Sequence, residues 1–155
     1  MATLDIDGHS LHYLAEGSGS PAIVFIHGYS CAHSDWAKQM AHFAPRHRVV
    51  AIDQRGHGES TGFTSGFNIE TYGSDVCTLI ESLGLAPAVL VGHSLGCRSV
   101  MEAASERPDL VAGTIMVDGS RSAEGDREAA EFYARDLMEE SGGLAAMRPA
   151  LFEGK

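Results

Sequence analysis

Short apolar runs alternate along the chain with stretches in which apolar residues recur at helical spacing. Four runs are continuously apolar and β-branched, as in strands buried on both faces, over 22–26, 48–52, 88–91 and 113–117. A further strand is predicted over 11–15, after a turn at Asp7-Gly8. Helical spacing predicts helices over 33–43, 69–83 and 94–106. Strands alternating with helices through short loops indicate an α/β fold with a mainly parallel sheet and right-handed crossovers.

The last part of the chain has a different pattern. From Arg121 onward the charge density rises and no buried strand follows, while 126–140 has the spacing of an amphipathic helix. We therefore place a boundary at Ser120–Arg121. It divides a core segment, 1–120, from a segment, 121–155, that we interpret as the start of a helical cap or a tail.

Composition and charge narrow the classes of function. The 155 residues are 44% hydrophobic and 21% charged, which is ordinary for one globular domain. Eleven basic against 21 acidic residues give a formal charge of −10, which disfavours nucleic acid and anionic membrane surfaces as partners. The apolar runs are too short to span a bilayer. Three cysteines without a CxxC spacing favour a reducing, cytoplasmic setting.

The segment after the strand 88–91 carries the clearest chemical signal. It reads Gly92-His93-Ser94-Leu95-Gly96, a G-x-S-x-G motif between a predicted strand and a predicted helix. Such a turn projects the serine hydroxyl above the sheet, and its glycines let neighbouring backbone come close. The N–H of Leu95, at the positive end of the helix, can stabilise an oxyanion. The motif predicts Ser94 as a nucleophile.

A second motif, His27-Gly28-Tyr29, follows the strand 22–26. Gly28 allows a sharp turn beside the nucleophile, and the N–H of Tyr29 is the predicted second oxyanion donor. We interpret His27 as a residue that braces this loop through hydrogen bonds rather than as a base.

A third motif, DQRGHGES over 53–60, follows the strand 48–52. Along the chain, His-Gly follows one strand, Asp-x-Arg-Gly-x-Gly-x-Ser follows the next and Gly-His-Ser-x-Gly follows a third. This order of motifs resembles the α/β-hydrolase superfamily, and the likeness extends over roughly 7–120. It implies an α/β-hydrolase-like sheet flanked by helices, without the last two strands. It also implies an esterase-like serine hydrolase that acts on a small-molecule carbonyl substrate and needs no cofactor. The bond attacked would be an ester, lactone, thioester, amide or C–C bond beside a carbonyl.

The resemblance also implies roles for particular residues. Asp53 and Arg55 organise the loop of the third motif, as does Ser60, and are not catalytic. Further site-organising residues are those around the nucleophile and the oxyanion loop, namely His27, Gly28, Gly92, His93 and Gly96. Serine at position 94 argues against the epoxide-hydrolase and dehalogenase branches, which resemble this sequence but have aspartate there.

The rest of a catalytic triad is harder to place. The order in this family is serine, acid, histidine, whereas all eight histidines of this chain precede Ser94. His57 and His93 remain as alternative bases. Asp118, directly after the strand 113–117, is the candidate acid. Its alternative role is that of a turn or helix-cap aspartate before Gly119.

We therefore expect this chain to be the N-terminal portion of a longer hydrolase whose catalytic histidine lies outside it. The strand 113–117 then becomes a sheet edge that pairs readily with another chain, which predicts a dimer or a companion C-terminal fragment. The alternative is a non-catalytic truncated hydrolase that binds a partner through this edge. No metal site is predicted, because the histidines lack a paired ligand spacing such as HExxH.

Overall fold

The computed structural model describes residues 2–119, which contain one six-stranded sheet with helices on its faces. The strands are β1 (Ala2–Ile6), β2 (His9–Glu16), β3 (Ile23–Ile26), β4 (Val49–Ile52), β5 (Ala88–His93) and β6 (Val111–Val117). The helices are α1 (Ala37–Phe43), α2 (Ile69–Ser82) and α3 (Leu95–Glu106), with short 3₁₀ turns at His33–Trp36 and Pro108–Leu110. The predicted segment 121–155, with its helix at 126–140, lies outside the described residues.

The strand order is β1-β2-β4-β3-β5-β6. The strands β3, β4, β5 and β6 run parallel, while β2 pairs antiparallel with both β1 and β4. This confirms the predicted α/β class with a mainly parallel sheet. None of the helices within 2–119 is long and apolar enough to cross a bilayer.

The central strands are continuously apolar because both of their faces are covered. In β3, Val24 and Ile26 belong to the larger apolar cluster, which includes residues of α2 and α3. The alternate residues Ile23 and Phe25 belong to a second cluster, with Trp36 and other residues around α1. All residues of β3 and β4 are buried. A strand sandwiched in this way has no polar face, so its sequence shows no alternation.

The strand β6 differs from the prediction. The sequence 113–117 was expected to be buried on both faces, yet Ile115 is 52% exposed, and Met116 and Val117 are each 40% exposed. The physical reason is position, because β6 pairs with β5 alone and is an edge strand of the described sheet. Its role as a sheet edge, also expected from the sequence, agrees with this placement.

Two further differences lie near the N-terminal half. The strand β1 was not predicted; it pairs with β2 through a tight hairpin in which Asp7 (φ 53°) and Gly8 (φ 82°) adopt the left-handed conformation. The predicted helix 33–43 is a 3₁₀ turn followed by the α-helix α1. Strand β1 is short and mostly exposed, so its apolar signal is weak.

Candidate active site

Ser94 lies at the junction of β5 and α3 in a conformation that side chains rarely adopt, with φ 49° and ψ −113°. Its N–H donates to the carbonyl of Val117 at 3.0 Å, and its own carbonyl accepts the N–H of Cys97 at 3.0 Å. The neighbouring strand and the first turn of α3 therefore hold the strained residue in place. Ser94 is exposed, at the end of the sheet where the parallel strands finish.

Glycines allow the backbone around Ser94 to come this close. A Cβ at Gly96 would lie 2.8 Å from the carbonyl oxygen of His27 and nearer still to that of Ile26. A Cβ at Gly92 would lie 2.6 Å from the backbone nitrogen of Cys97. Both distances are shorter than real Cβ contacts. The missing side chain at Gly96 lets the start of α3 lie against the end of β3, and the missing side chain at Gly92 lets the end of β5 lie against the first turn of α3.

The loop after β3 contacts the same turn. A Cβ at Gly28 would lie 3.2 Å from the Cβ of Ser94 and 2.9 Å from Nδ1 of His93. Tyr29 follows directly, so its backbone enters the neighbourhood of Ser94. Leu95 is the first residue of α3, and its N–H has no acceptor within the helix. The structure thus brings both predicted oxyanion donors to this region, and their role in holding an oxyanion stays a prediction.

Asp118 follows Val117, whose partner in the β5–β6 register is His93. The aspartate therefore lies at the same sheet edge as Ser94, with φ 50° and an exposed side chain. This position fits both interpretations of Asp118, as a catalytic acid and as a turn residue. Its catalytic role stays a prediction.

His27 is buried and joins three segments of the chain. Its Nε2 accepts the backbone N–H of Gln54 at 3.0 Å, so Nδ1 carries the proton and donates to the carbonyl of Gly28 at 2.6 Å. Burial, with the neighbouring His57, lowers the pKa of His27 to about 4. The Gln54 side chain donates to the His27 carbonyl at 2.9 Å and accepts from Ser99 of α3 at 2.6 Å. A neutral His27 thus ties the loops after β3 and β4 together.

Asp53 is the centre of a second network. Its fully buried carboxylate accepts the Nδ1–H groups of His12 and His33, at 2.9 and 3.0 Å. It also accepts the backbone N–H groups of His33 and Glu59, at 2.6 and 2.9 Å. Burial alone would raise the pKa of Asp53, but these donors outweigh burial and lower it. Ser60 completes the network, since its hydroxyl donates to the Asp53 carbonyl at 2.6 Å.

Arg55 links the loop after β4 to α2. Its guanidinium donates through Nε and Nη2 to the two carboxylate oxygens of Asp75, at 2.7 and 2.6 Å. The hydrogen bond to Asp75 raises the pKa of Arg55. The guanidinium also lies 4.6 Å from the centre of the Phe63 ring. These contacts are structural, and they hold the loop in one position on the helix.

The networks include residues to which the sequence pattern did not point, among them His12, His33, Gln54 and Asp75. Their partners are 20 to 45 residues away along the chain. His12 is 3% exposed although the adjacent Leu11 is also buried, and this burial on both faces of β2 is visible only in the structure. A buried polar side chain needs partners, so its position marks a network without identifying its other members.

Comparison with known proteins identifies the family. A model described as the alpha/beta hydrolase fold matches residues 21–144. The 2-(acetamidomethylene)succinate hydrolase of Mesorhizobium japonicum is 36% identical over 115 residues, which are 74% of this chain and 41% of that protein. A non-heme chloroperoxidase of Streptomyces lividans is 39% identical over 115 residues, covering 72% of this chain and 41% of that protein. The chain therefore spans about two fifths of these curated relatives.

Solved structures agree with this assignment. Est816, described as an N-acyl homoserine lactone degrading enzyme, superposes with a TM-score of 0.80 at 26% identity, over 98% of this chain and 65% of that chain. The structure of E-2-(acetamidomethylene)succinate hydrolase gives a TM-score of 0.78 at 33% identity, over 90% of this chain and 51% of that chain. The resemblance inferred from three motifs is confirmed, because the matching model covers well over half of the sequence: the chain belongs to the α/β-hydrolase fold family.

Proposed function

We propose that this protein is the N-terminal portion of a serine hydrolase that cleaves an ester or another carbonyl-adjacent bond in a small molecule. The observation that carries this proposal is the exposed, strained Ser94 turn, which Gly28 and Gly96 allow to lie against the loop after β3. Relatives named as hydrolases and as an esterase/perhydrolase support the reaction class. Their names do not extend to a substrate for this chain.

In the proposed reaction, Ser94 Oγ attacks the carbonyl carbon while a base takes the hydroxyl proton. The carbonyl oxygen becomes an oxyanion that accepts hydrogen bonds from the N–H groups of Tyr29 and Leu95. The intermediate then expels the leaving group, which receives the proton, and an acyl-serine remains. Water, deprotonated by the same base, attacks this ester. The bond between the acyl carbon and Oγ breaks, the carboxylic acid leaves and the base returns the proton to Ser94 Oγ.

We propose that the base comes from outside these 155 residues. All eight histidines precede Ser94, in contrast to the serine–acid–histidine order of the family. His57 is a poor substitute, because it is 2% exposed and its Nδ1 contacts the carbonyl of Arg55 at 3.1 Å. Burial also lowers the pKa of His57. Asp118 is the proposed acid that would orient a histidine supplied in this way.

Chemical rescue by imidazole tests this proposal. Hydrolysis of p-nitrophenyl acetate is measured for the unmodified protein and for Ser94→Ala, each with and without imidazole. Loss of a triad base costs on the order of 10⁶ in kcat, so we expect no serine-dependent turnover without imidazole. With imidazole, we expect the unmodified protein to exceed Ser94→Ala, whose rate also measures hydrolysis by free imidazole. Ser82→Ala, at an exposed serine of α2, is the matched control and should behave like the unmodified protein.

Two results would contradict parts of the proposal. Equal imidazole-dependent rates in the unmodified protein and Ser94→Ala would show that Ser94 is not a nucleophile. Turnover that depends on Ser94 but needs no imidazole would show that a histidine of this chain, or of a second copy, already supplies the base.

A second candidate function is an interaction module without catalysis. It is favoured by the exposed apolar side chains of β6, an edge strand of the described sheet, and by the position of every histidine before Ser94. Under either function we expect β6 to pair with a second chain, either another copy or a C-terminal companion.

Light scattering after size exclusion tests the pairing of β6. We expect a species larger than 16.4 kDa for the purified chain. Ile115→Lys should return it to a monomer, because a charge on an edge strand opposes pairing. Met101→Lys, at a residue of α3 that is 48% exposed, is the control and should keep the larger species. A monodisperse monomer of the unmodified chain would count against self-association.

We also propose a reducing, cytoplasmic location. The support comes from the three cysteines, Cys31, Cys77 and Cys97, which have no CxxC spacing and are odd in number. Detection of the protein in an exported fraction of the source cells would overturn this.

A further inference from the structure

Three side chains outside the proposed catalytic machinery point at one another from three separate segments. His12 lies on β2, His33 begins the 3₁₀ turn after β3, and Asp53 follows β4. One nitrogen of each imidazole and one carboxylate oxygen all lie within 4.8 Å of one another. The sequence predicted no metal site, because spacing rules detect ligands that share one segment and these three ligands do not.

We propose that His12, His33 and Asp53 form a binding site for a divalent transition-metal ion of the zinc type. Two imidazole nitrogens and a carboxylate oxygen are the donors that Zn²⁺ takes in proteins, with solvent as the fourth ligand. This inference does not depend on the proposed hydrolase function, and it concerns different residues from those around Ser94.

The distances agree with such a site. Nδ1 of His12 and Nδ1 of His33 lie 2.9 and 3.0 Å from the same oxygen, Oδ2 of Asp53. Tetrahedral zinc, with bonds of about 2.0–2.2 Å, separates neighbouring ligand atoms by about 3.3 Å. Each nitrogen therefore has to move away from Oδ2 by only a few tenths of an ångström. One ion then replaces the two imidazole hydrogen bonds to this oxygen, while the backbone N–H of Glu59 still donates to Oδ2 at 2.9 Å.

The other nitrogen of His12 is an independent observation that points to a ligand. Nε2 is buried and has no hydrogen-bond partner, although the side chain is only 4% exposed. Oε2 of Glu59 lies 3.6 Å from this nitrogen. While Nδ1 contacts Asp53, Nε2 faces the Glu59 carboxylate without forming a hydrogen bond to it.

Metal binding resolves this arrangement. Once Nδ1 of His12 binds the ion, the ring proton resides on Nε2 and can be donated to Glu59. A carboxylate that accepts the second N–H of a metal-bound imidazole is the usual outer partner in zinc sites. The ion would fasten β2 to the loops after β3 and β4, the two loops that His27 and Gln54 also join.

Titration of the chelator-treated chain with Zn²⁺, and with Co²⁺ as an optical probe, tests the proposal. We expect one ion per chain, the intense visible absorption of tetrahedral Co²⁺, and a rise in Tm that grows with metal concentration. Glu59→Gln should weaken binding about 10–100-fold, because only the outer carboxylate is changed. His33→Ala removes a ligand and should weaken binding by more than about 100-fold.

The controls separate this site from general histidine binding. His42→Ala, at an exposed histidine of α1, should leave the affinity unchanged. His33→Ala keeps the backbone N–H that donates to Asp53, and its fold is checked by circular dichroism without metal. If that variant does not fold, Glu59→Gln decides alone, because its side chain is 60% exposed. Absence of stoichiometric binding, or equal affinity in Glu59→Gln and the unmodified chain, would overturn the proposal.

Discussion

Single residues decide how closely the Ser94 turn fits against the sheet. Ser94 itself is strained, and conformations of this kind cost on the order of 1–3 kcal/mol each. The surrounding backbone holds it through hydrogen bonds to Val117 and Cys97. Gly96 contributes by leaving room for the carbonyl groups of Ile26 and His27. The position of the proposed nucleophile thus depends as much on an absent side chain as on the serine.

Two glycine substitutions distinguish the effect of a steric contact on stability from the effect of backbone conformational entropy. Gly96→Ala places a methyl group among backbone atoms that have little room to move, and we expect it to destabilise the protein by about 1–3 kcal/mol. Gly113→Ala on β6 meets nothing within 4 Å, so it should be neutral or stabilising by up to ~1 kcal/mol. Urea unfolding of both variants is the measurement. Equal effects at the two positions would show that the close contact at Gly96 has no energetic weight.

At the scale of secondary-structure elements, a buried ion pair fixes the position of a loop on a helix. Arg55 and Asp75 join the loop after β4 to α2, with side-chain exposures of 11% and 5%. Pairs of this kind contribute modestly when complete, but removing one partner leaves a buried charge without compensation. Arg107 and Asp109 form a contrasting pair at the surface, with exposures of 37% and 63%.

Asp75→Asn should therefore lower the free energy of unfolding by about 3–5 kcal/mol, because the Arg55 guanidinium then lacks its counter-charge. Asp109→Asn, which breaks the exposed pair with Arg107, should leave the urea midpoint nearly unchanged, since solvent screens that interaction. Equal shifts of the urea midpoint in both variants would show that removing Asp75 does not leave a costly buried charge on Arg55.

At the scale of the whole molecule, the buried side chains of His27 and Asp53 make the free energy of unfolding depend on pH. Burial and His57 lower the pKa of His27 to about 4, from 6.5 in an unfolded chain. Between these values the unfolded state takes up a proton that folded His27 does not accept. Stability is therefore fully present above about pH 6.5 and falls as the pH decreases towards 4. The lowered pKa of Asp53 acts in the same direction at still lower pH.

We expect His27 to account for roughly 3 kcal/mol of lost stability over this interval. Urea midpoints measured between pH 7 and pH 4 test this. His27→Gln removes the titrating group, so its midpoint should fall less steeply with pH whatever its stability at pH 7. His42→Ala, at an exposed histidine, should keep the slope of the unmodified protein. Equal slopes for His27→Gln and the unmodified protein would assign the pH dependence to other groups.

The local sequence pattern by itself predicted several strands, a helix and the turn that holds Ser94. Strands with both faces buried are continuously apolar, so β3, β4 and β5 were predictable within one or two residues, and so was α2. The G-x-S-x-G motif likewise encodes its own turn, because two glycines and a helix start within five residues shape the backbone around Ser94. In each case the determining interactions lie within a few positions of one another.

The remaining features depended on which segments become neighbours. The network around Asp53 draws on His12, 41 residues earlier, and on His33, 20 residues earlier. No periodicity relates such positions, because their meeting follows from β2 pairing with β4 and from the path of the loop after β3. The exposure of β6 has the same origin, since an apolar run has the same composition at the centre of a sheet and at its edge. Composition and periodicity determine how much apolar surface a segment can bury. Which other segment covers that surface is decided by the tertiary structure, when the strands assemble into a sheet.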